Sequence, residues 1–534
     1  MYDLIIRGGT IVDGSGEAAY VADVAVSDGK ISAIGDLKEA EATRTIEADG
    51  LIVCPGFIDD HSHGDLNVLA DPYAKNELLQ GITTEIGGCC GISFAPINGT
   101  ADRMVSSQIE FADQQTQERL LRNMSFPEYM DMVDKTPMGT NMAVYVGQGI
   151  VRAAVMGYAE GEADEAQLAE MKSIVRQAME AGAGGISSGL IYPTGSLTSQ
   201  KELTELCKVV GEYGGRYSTH MRGESDTIIS SVEEALQVAK DSGTKLVISH
   251  HKITGVKNHG KSTQTLAMVD EAVQQGLDVH MDVYPYTAGA TNLIAAIPRQ
   301  FLSDKTAFVE RIKTDTAFRA EIRQAIENGV MEGENLVLAC GGTDGVVIAK
   351  APECPEWIGR SLTEIGKAEG KDSFDVLFDA IAATNANGMG VFFSISEDDM
   401  VRIMSHPRTA FGTDSSHATI NNLFGHPRAF GTFPTILTKY VRDRKALPLE
   451  EMIRKATSLP AQMQGLQGKG LLKVGCDADI VVMDLENMEV LSDYANADGG
   501  NRGFRYVFVN GVAAVENDTY TGALGGKLLR VHNN

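Results

Sequence analysis

No apolar stretch in this 534-residue chain approaches the ~20 residues needed to cross a bilayer, so a membrane-spanning protein is not expected. A disulfide scaffold is disfavoured as well. The 7 cysteines are an odd number and none stands in a C-x-x-C pair, and a reducing cytoplasm is the expected home. The opening Met1-Tyr2-Asp3-Leu4-Ile5-Ile6-Arg7 lacks the charged-then-apolar layout of a secretory signal. Positive charge is scarce: 46 Lys and Arg against 72 Asp and Glu leave a net charge of −26. Nucleic acid and anionic membrane both need a basic footprint, so neither is expected as a partner. Tryptophan occurs once, at Trp357. A hydrophobic content of 43% with 22% charge is ordinary for a globular protein, and the length suffices for more than one domain.

What the chain does have is histidine in informative places. The apolar run Leu51-Ile52-Val53 with Phe57-Ile58 stops at His61-Ser62-His63. Side chains at i and i+2 share one side of an extended strand, so both imidazoles can aim at one point. Alone, a His-x-His pair is weak evidence, because surface pairs of this kind are common. Other short apolar runs end the same way, however. Residues 215–219 end at His220, residues 245–249 at His250 and His251, residues 82–88 at Cys89 and Cys90, and residues 409–413 at Asp414. Core histidines satisfied by backbone partners would account for one or two of these endings, not for all five runs.

The middle of the chain alternates short strands with helical stretches, which implies parallel βαβ units. Strands are expected near 57–61, 82–88, 142–147, 184–190, 215–220, 245–250, 278–283 and 409–414, and helices over 165–181, 225–242, 262–275 and 307–327. Eight such units read as a TIM-like (β/α)₈ barrel, whose catalytic groups gather at the C-terminal strand ends. The long gap before the last strand predicts an insertion over roughly 285–400, between barrel strands seven and eight. Both chain ends read as short strands, with hairpin signals at Asp13-Gly14 and Asp28-Gly29. They predict a small β-sandwich-like domain formed by residues 1–54 and 466–534, flanking a barrel over 55–465.

The stretches PGFIDDHSHGD, GITTEIGGCCGIS, SSGLIY, STHMR, ISHHK, DVYPY, GTDS and HPRAFGTFP run in order along the chain. They resemble the amidohydrolase superfamily and, within it, the N-acyl-D-amino-acid deacylases, or D-aminoacylases. The resemblance extends to Thr457-Ser458-Leu459-Pro460-Ala461 and Gly475-Cys476-Asp477-Ala478-Asp479. It implies a zinc enzyme acting on a small-molecule N-acyl amino acid. Cys90, His220 and His250 would be the tight ligands, His61 and His63 would flank a second, weaker position bridged by Cys90, and Asp414 would be the catalytic acid-base. Lys252 and Arg428 are the candidates for holding the substrate carboxylate, with Tyr192 and Tyr284 as hydroxyl donors. Relatives that bridge two metals with a carboxylated lysine need a Lys in the fourth strand, where this chain has Gly185-Ile186-Ser187-Ser188-Gly189.

Gln148, His259 and Ala290 depart from the family pattern and bear on side-chain preference more than on chemistry; Cys89, a further departure, either competes for metal or packs, and packing is the expectation. His251 is expected to be structural, Arg299 to be a surface residue at the mouth of the insertion. Two other readings stay open at this point: another metal-dependent C–N hydrolase, such as a dipeptidase or cyclic amidase, and a non-catalytic metal-binding scaffold on a decayed barrel.

Overall fold

The computed structural model describes residues 1–98, 101–192, 194–302, 305–329, 334–417 and 425–531. Its centre is a run of parallel strands. Phe57–Asp59, Ile82–Gly87 and Asn141–Val144 pair in that order. Val146–Gly147, Gly185–Gly189, Arg216–His220, Lys245–Ile248, Val279–Val283 and Thr409–Phe411 form a six-stranded parallel sheet, again in chain order. Only Tyr145 separates Val144 from Val146, so the two sheets continue one another. Beyond the last strand, Asp60 N–H donates to Phe411 O at 3.0 Å and Asp414 N–H to His61 O at 2.8 Å, which ties Thr409–Phe411 to the segment following Phe57–Asp59.

These strands are buried almost throughout, and several bury polar side chains as well as apolar ones: Thr83, Thr84 and Glu85 in Ile82–Gly87, Ser187 and Ser188 in Gly185–Gly189, and Ser218 and Thr219 in Arg216–His220. Helices Glu165–Glu180, Gln200–Glu212, Ile228–Ser242 and Ser262–Gln274 lie between consecutive strands. Their limits follow from local chemistry. Asp164 and Gln167 form a capping box at the first, and Ser199 caps the second by accepting Glu202 N–H. Gly243, at φ +71°, ends the third in the left-handed region. Parallel pairing puts every strand's C-terminal end on one side, and each of the five metal-competent or acid-base endings lies there.

Strands from both chain ends share one continuous nine-stranded sheet, ordered 519–520, 512–516, 504–509, 480–483, 52–55, 2–11, 20–27, 30–35, with 42–47 also paired to 2–11. Two tight turns shape it. Asp28-Gly29 (φ +51° and +70°) and Asn510-Gly511 (φ +49° and +82°) both have the positive φ angles of a type I′ hairpin. Asp13-Gly14 does not make such a turn. Residues 12–19 form a longer loop, held open because Leu472 N–H donates to Asp13 O and Ser458 Oγ to Gly14 O.

Residues 289–392 build a unit of their own: a three-stranded antiparallel sheet of Gly289–Asn292, Met389–Phe392 and Val346–Lys350, with helices around it. Its separate apolar cluster includes Phe308, Ile322, Trp357 and Phe378. The helix expected over 307–327 is two helices, Lys305–Thr314 and Thr316–Glu327. Asp315 breaks the run because its carboxylate accepts Phe318 N–H at 2.9 Å and so caps the second helix. Among the described residues, no helix is long and apolar enough to cross a membrane.

Candidate functional site

The loop after Ile82–Gly87 folds back on itself to present Cys90. Gly88 and Gly91 take φ +72° and +74°, and a Cβ on Gly91 would stand 2.5 Å from the backbone nitrogen of Gly189. A Cβ on Gly189 would in turn overlap the Cys90 carbonyl. The Cys-Gly-Ile-Ser and Ser-Ser-Gly-Leu stretches are therefore one device: two glycines let the cysteine loop lie directly on the end of strand Gly185–Gly189.

Cys90 (φ +52°), His250 (φ +34°) and Asp414 (φ +52°) are themselves in the left-handed region, which non-glycine residues adopt at a cost. Three strained backbones meet at one point. Each is held from outside: His250 N–H by Asp282 Oδ1 at 2.7 Å, Asp414 N–H by His61 O, and Cys90 by the glycines around it.

Cys90 Sγ lies 3.3 Å from His61 Nε2, 3.4 Å from His250 Nε2 and 3.7 Å from His220 Nδ1. Asp414 Oδ1 stands 3.3 Å from His63 Nε2 and 3.6 Å from His61 Nε2. Ligand atoms of His61, Cys90, His250 and Asp414 all fall within 4.8 Å of one another, as do those of His220, Glu224 and His250.

Carboxylates stand behind the imidazoles. Asp282 Oδ2 is 3.4 Å from His61 Nδ1, and Glu224 Oε1 is 3.1 Å from His250 Nδ1. A metal-ligating imidazole characteristically hands its second N–H to such a partner. His220 Nε2 and His63 Nδ1 are buried without a hydrogen-bond partner. Thiolate and imidazole donors with orphaned ring nitrogens fit a zinc-type ion.

The charge at the sulfur agrees with that fit. Burial alone would raise the Cys90 thiol, but His61 and His250 outweigh it and hold Cys90 well below the ordinary thiol range. Burial opposes the charged imidazoles, yet contact with Asp414 and the Cys90 sulfur pushes His63 up to about 9, and Cys90 and Glu224 push His250 up to about 9. Asp414 is held well below the usual carboxylate range, its burial overcome by Arg428 and the neighbouring histidines.

The cluster opens into a cavity of about 670 Å³ whose walls include Leu66, Ile92, Ile294, Phe392 and Ile395. All four expected substrate-contacting residues line it, and three already have partners. Arg428 Nη1 is 2.7 Å from Asp414 Oδ2, Lys252 Nζ is 2.6 Å from Glu224 Oε1, and Tyr192 Oη is 3.4 Å from His220 Nδ1. The cations of Lys252 and Arg428 each lie 5.7 Å from the centre of the Tyr284 ring.

Ala290 and Arg299 also line the cavity, Arg299 donating to Ile191 O at 2.5 Å. Gln148 instead donates to Thr198, and His259 Nε2 faces Ser394 O. His251 turns away from the cluster, its Nε2 2.9 Å from Thr265 Oγ1. Cys89 packs among Ile58, Ile86 and Tyr145, and its burial raises the thiol well above the ordinary value.

Glu224 and Asp282 had no role in the sequence reading. Asp282 left a usable signal, a buried carboxylate between Met281 and Val283 in the strand Val279–Val283. Glu224 left only its place four residues after His220.

A family model described as "Amidohydrolase family" matches residues 44–514. D-aminoacylase from Alcaligenes xylosoxydans xylosoxydans is 33% identical over 528 residues, covering 99% of this chain and 97% of that protein. A crystal structure of D-aminoacylase superposes with a TM-score of 0.81 at 31% identity, covering 99% of this chain and 100% of the other. The structure of N-acyl-D-glutamate deacylase from Bordetella bronchiseptica, complexed with zinc and a phosphonate mimic of the tetrahedral intermediate, superposes with a TM-score of 0.80 at 30% identity. It covers 99% of this chain and 100% of its own.

Proposed function

The chain belongs to the amidohydrolase family, and on that premise we propose that it hydrolyses N-acyl-D-amino acids to a carboxylate and a free D-amino acid. The observation that carries the reading is the convergence of Cys90, His61, His220, His250 and Asp414 at the base of one cavity. Cys90, His220 and His250 would hold the tighter zinc ion, with His61 and His63 at a second, weaker position that shares Cys90. Bound zinc lowers the pKa of water and polarises an amide carbonyl.

The chain's own groups supply the rest. Arg428 grips Asp414 Oδ2, which leaves Oδ1 facing His61 and His63. Held ionised there, Oδ1 accepts the proton of the attacking water and returns it to the leaving nitrogen. Arg428 and the Tyr192 and Tyr284 hydroxyls receive the substrate carboxylate. Lys252, paired with Glu224 at the same cavity, adds its charge beside the Tyr284 ring. The Leu66, Ile92 and Phe392 walls exclude water from the acyl group.

The same reading supplies the architecture. The eight parallel strand positions from 57–59 to 409–411 form a closed (β/α)₈ barrel over residues 55–465, with an insertion at roughly 285–400 and a small β domain formed by 1–54 and 466–534. Support comes from the bonds between Asp60 and Phe411 and between Asp414 and His61, which join the last strand position to the first.

Asp414→Asn provides the test, with zinc content measured beside turnover. A drop of at least ~10²-fold in kcat with zinc retained supports the assigned role. Parent-like turnover would remove Asp414 from the chemistry.

A further inference from the structure

Beneath the cluster lies an ion pair that the chemistry above does not use. Glu85 and His417 are both fully buried, with His417 Nε2 3.0 and 3.2 Å from the two Glu85 oxygens. The other ring nitrogen, Nδ1, is 2.8 Å from the carbonyl of Asp71, which can only accept. Acceptors at both nitrogens call for the doubly protonated ring, and Glu85 raises His417 to about 9 against the effect of burial.

Each partner holds one of the segments that carry the site. Glu85 Oε2 accepts Ser62 Oγ–H at 2.7 Å, and Ser62 stands between His61 and His63. Ser62 Oγ also accepts Gly64 N–H at 3.0 Å. His417 lies three residues after Asp414, and its own carbonyl accepts Asn67 Nδ2–H at 2.9 Å. The two segments meet directly, His63 N–H donating to Ser415 O at 2.7 Å. Gly64 reflects how tightly the pair is set: a Cβ there would overlap Glu85 Oε2 and stand 2.5 Å from His417 Nε2. Asp414, at φ +52°, needs such an anchor, because its backbone would relax if the segment were free.

We propose that the Glu85–His417 pair is a positioning element that fixes Asp414 relative to His61 and His63, with Glu85 setting one segment through Ser62 and His417 the other. Neither residue touches substrate. The proposal rests on the deacylase reading only for its kinetic test.

That test compares full-length parent with Glu85→Gln, His417→Gln, the double variant and Ser62→Ala, each loaded with cobalt(II) in one experiment and zinc in another. A misplacement of the order of 1 Å costs up to roughly 10²-fold. Each single charge variant should lose roughly tenfold to 10²-fold in kcat with KM within about threefold, since the groups receiving substrate are untouched. The double variant should fall no further than the worse single one, because the brace is broken only once.

The visible cobalt spectrum should shift in the same variants, which a purely structural role would leave alone. Thermal unfolding that falls while kcat and spectrum stay at parent values would overturn the proposal. Should the charge variants fail to fold, Ser62→Ala decides: it removes one hydroxyl contact and should lower kcat several-fold, and an unchanged kcat and spectrum would overturn the proposal. A parent inactive on every N-acyl-D-amino acid would sink the deacylase reading separately, and the cobalt spectra would then judge the brace alone.

Discussion

Replacing Gly91 by alanine puts a methyl group 2.5 Å from the Gly189 nitrogen and 3.1 Å from the Ser188 carbonyl carbon. Both obstacles are backbone, so no rotamer change relieves them. The left-handed φ of +74° costs an L-residue ~1–2 kcal/mol, and the overlap adds ~1–3 kcal/mol. Set against the ~5–15 kcal/mol stability of a typical fold, the protein should still fold.

The loop must nonetheless move. Restoring an ordinary 3.4 Å contact from 2.5 Å requires a shift of about 0.9 Å in the segment carrying Cys90. Metal sites tolerate only ~0.2 Å in ligand distances, and a 1 Å error in a reacting geometry costs about 10²-fold. Gly91→Ala should therefore lose tight zinc binding, measured by competition with a chelator, and roughly 10²-fold or more in kcat. Gly50→Ala is the control: it has nearly the same φ, +76°, with nothing within 4 Å of the added methyl. It should lose ~1–2 kcal/mol of stability and no zinc affinity. If Gly91→Ala bound zinc and turned over like the parent, the close seating of the cysteine loop would not be what places Cys90.

At Asp414, asparagine and alanine should cost similar activity but differ in stability. Asparagine tolerates the left-handed backbone and can still accept from Arg428, so Asp414→Ala should unfold at a lower temperature, by ~1 kcal/mol in differential scanning calorimetry. His417 has a folded value raised to about 9, so its stabilising contribution is complete below pH 6.5 and lost as pH rises through about 9. Denaturant unfolding from pH 6.5 to 9.5 should thus show a decline for the parent that is flatter in His417→Gln. Removing metal with a chelator should make Cys90 the site of fastest alkylation, because its neighbours favour the thiolate, and zinc should protect it. Peptide mass spectrometry separates this label from the partly exposed Cys354 and Cys476.

The strands were legible because short β-prone segments alternate with helical ones, and the metal-competent or acid-base residue that closes each segment marks the end where the site forms. His61, the Cys89–Cys90 pair, His220, the His250–His251 pair and Asp414 stood out for that reason, although they lie far apart along the chain; within the pairs, the family resemblance singled out Cys90 and His250. Backbone geometry was not legible. Nothing in the identity of Cys90, His250 or Asp414 announces a left-handed conformation, since the strain is imposed by contacts with Gly189, Asp282 and His61. The carboxylates behind the imidazoles were hidden too, because Glu224 and Asp282 act through neighbours that only folding brings near. Lys252 and Arg428 could be named as cations, but not as members of pairs with Glu224 and Asp414. The helix break at Asp315 was readable in principle, since an aspartate three residues before Phe318 is a capping signal. The longer loop at Asp13-Gly14 was not, as it depends on Ser458 and Leu472 from the far end of the chain.

The most direct measurement of the central claim is amine release by the zinc-loaded protein from matched N-acetyl-D- and N-acetyl-L-amino acids, including methionine, leucine and glutamate. The account predicts release from the D series alone, abolished by chelator and restored by zinc. Equal release from both series, release that survives complete removal of metal, or none from either series would contradict it.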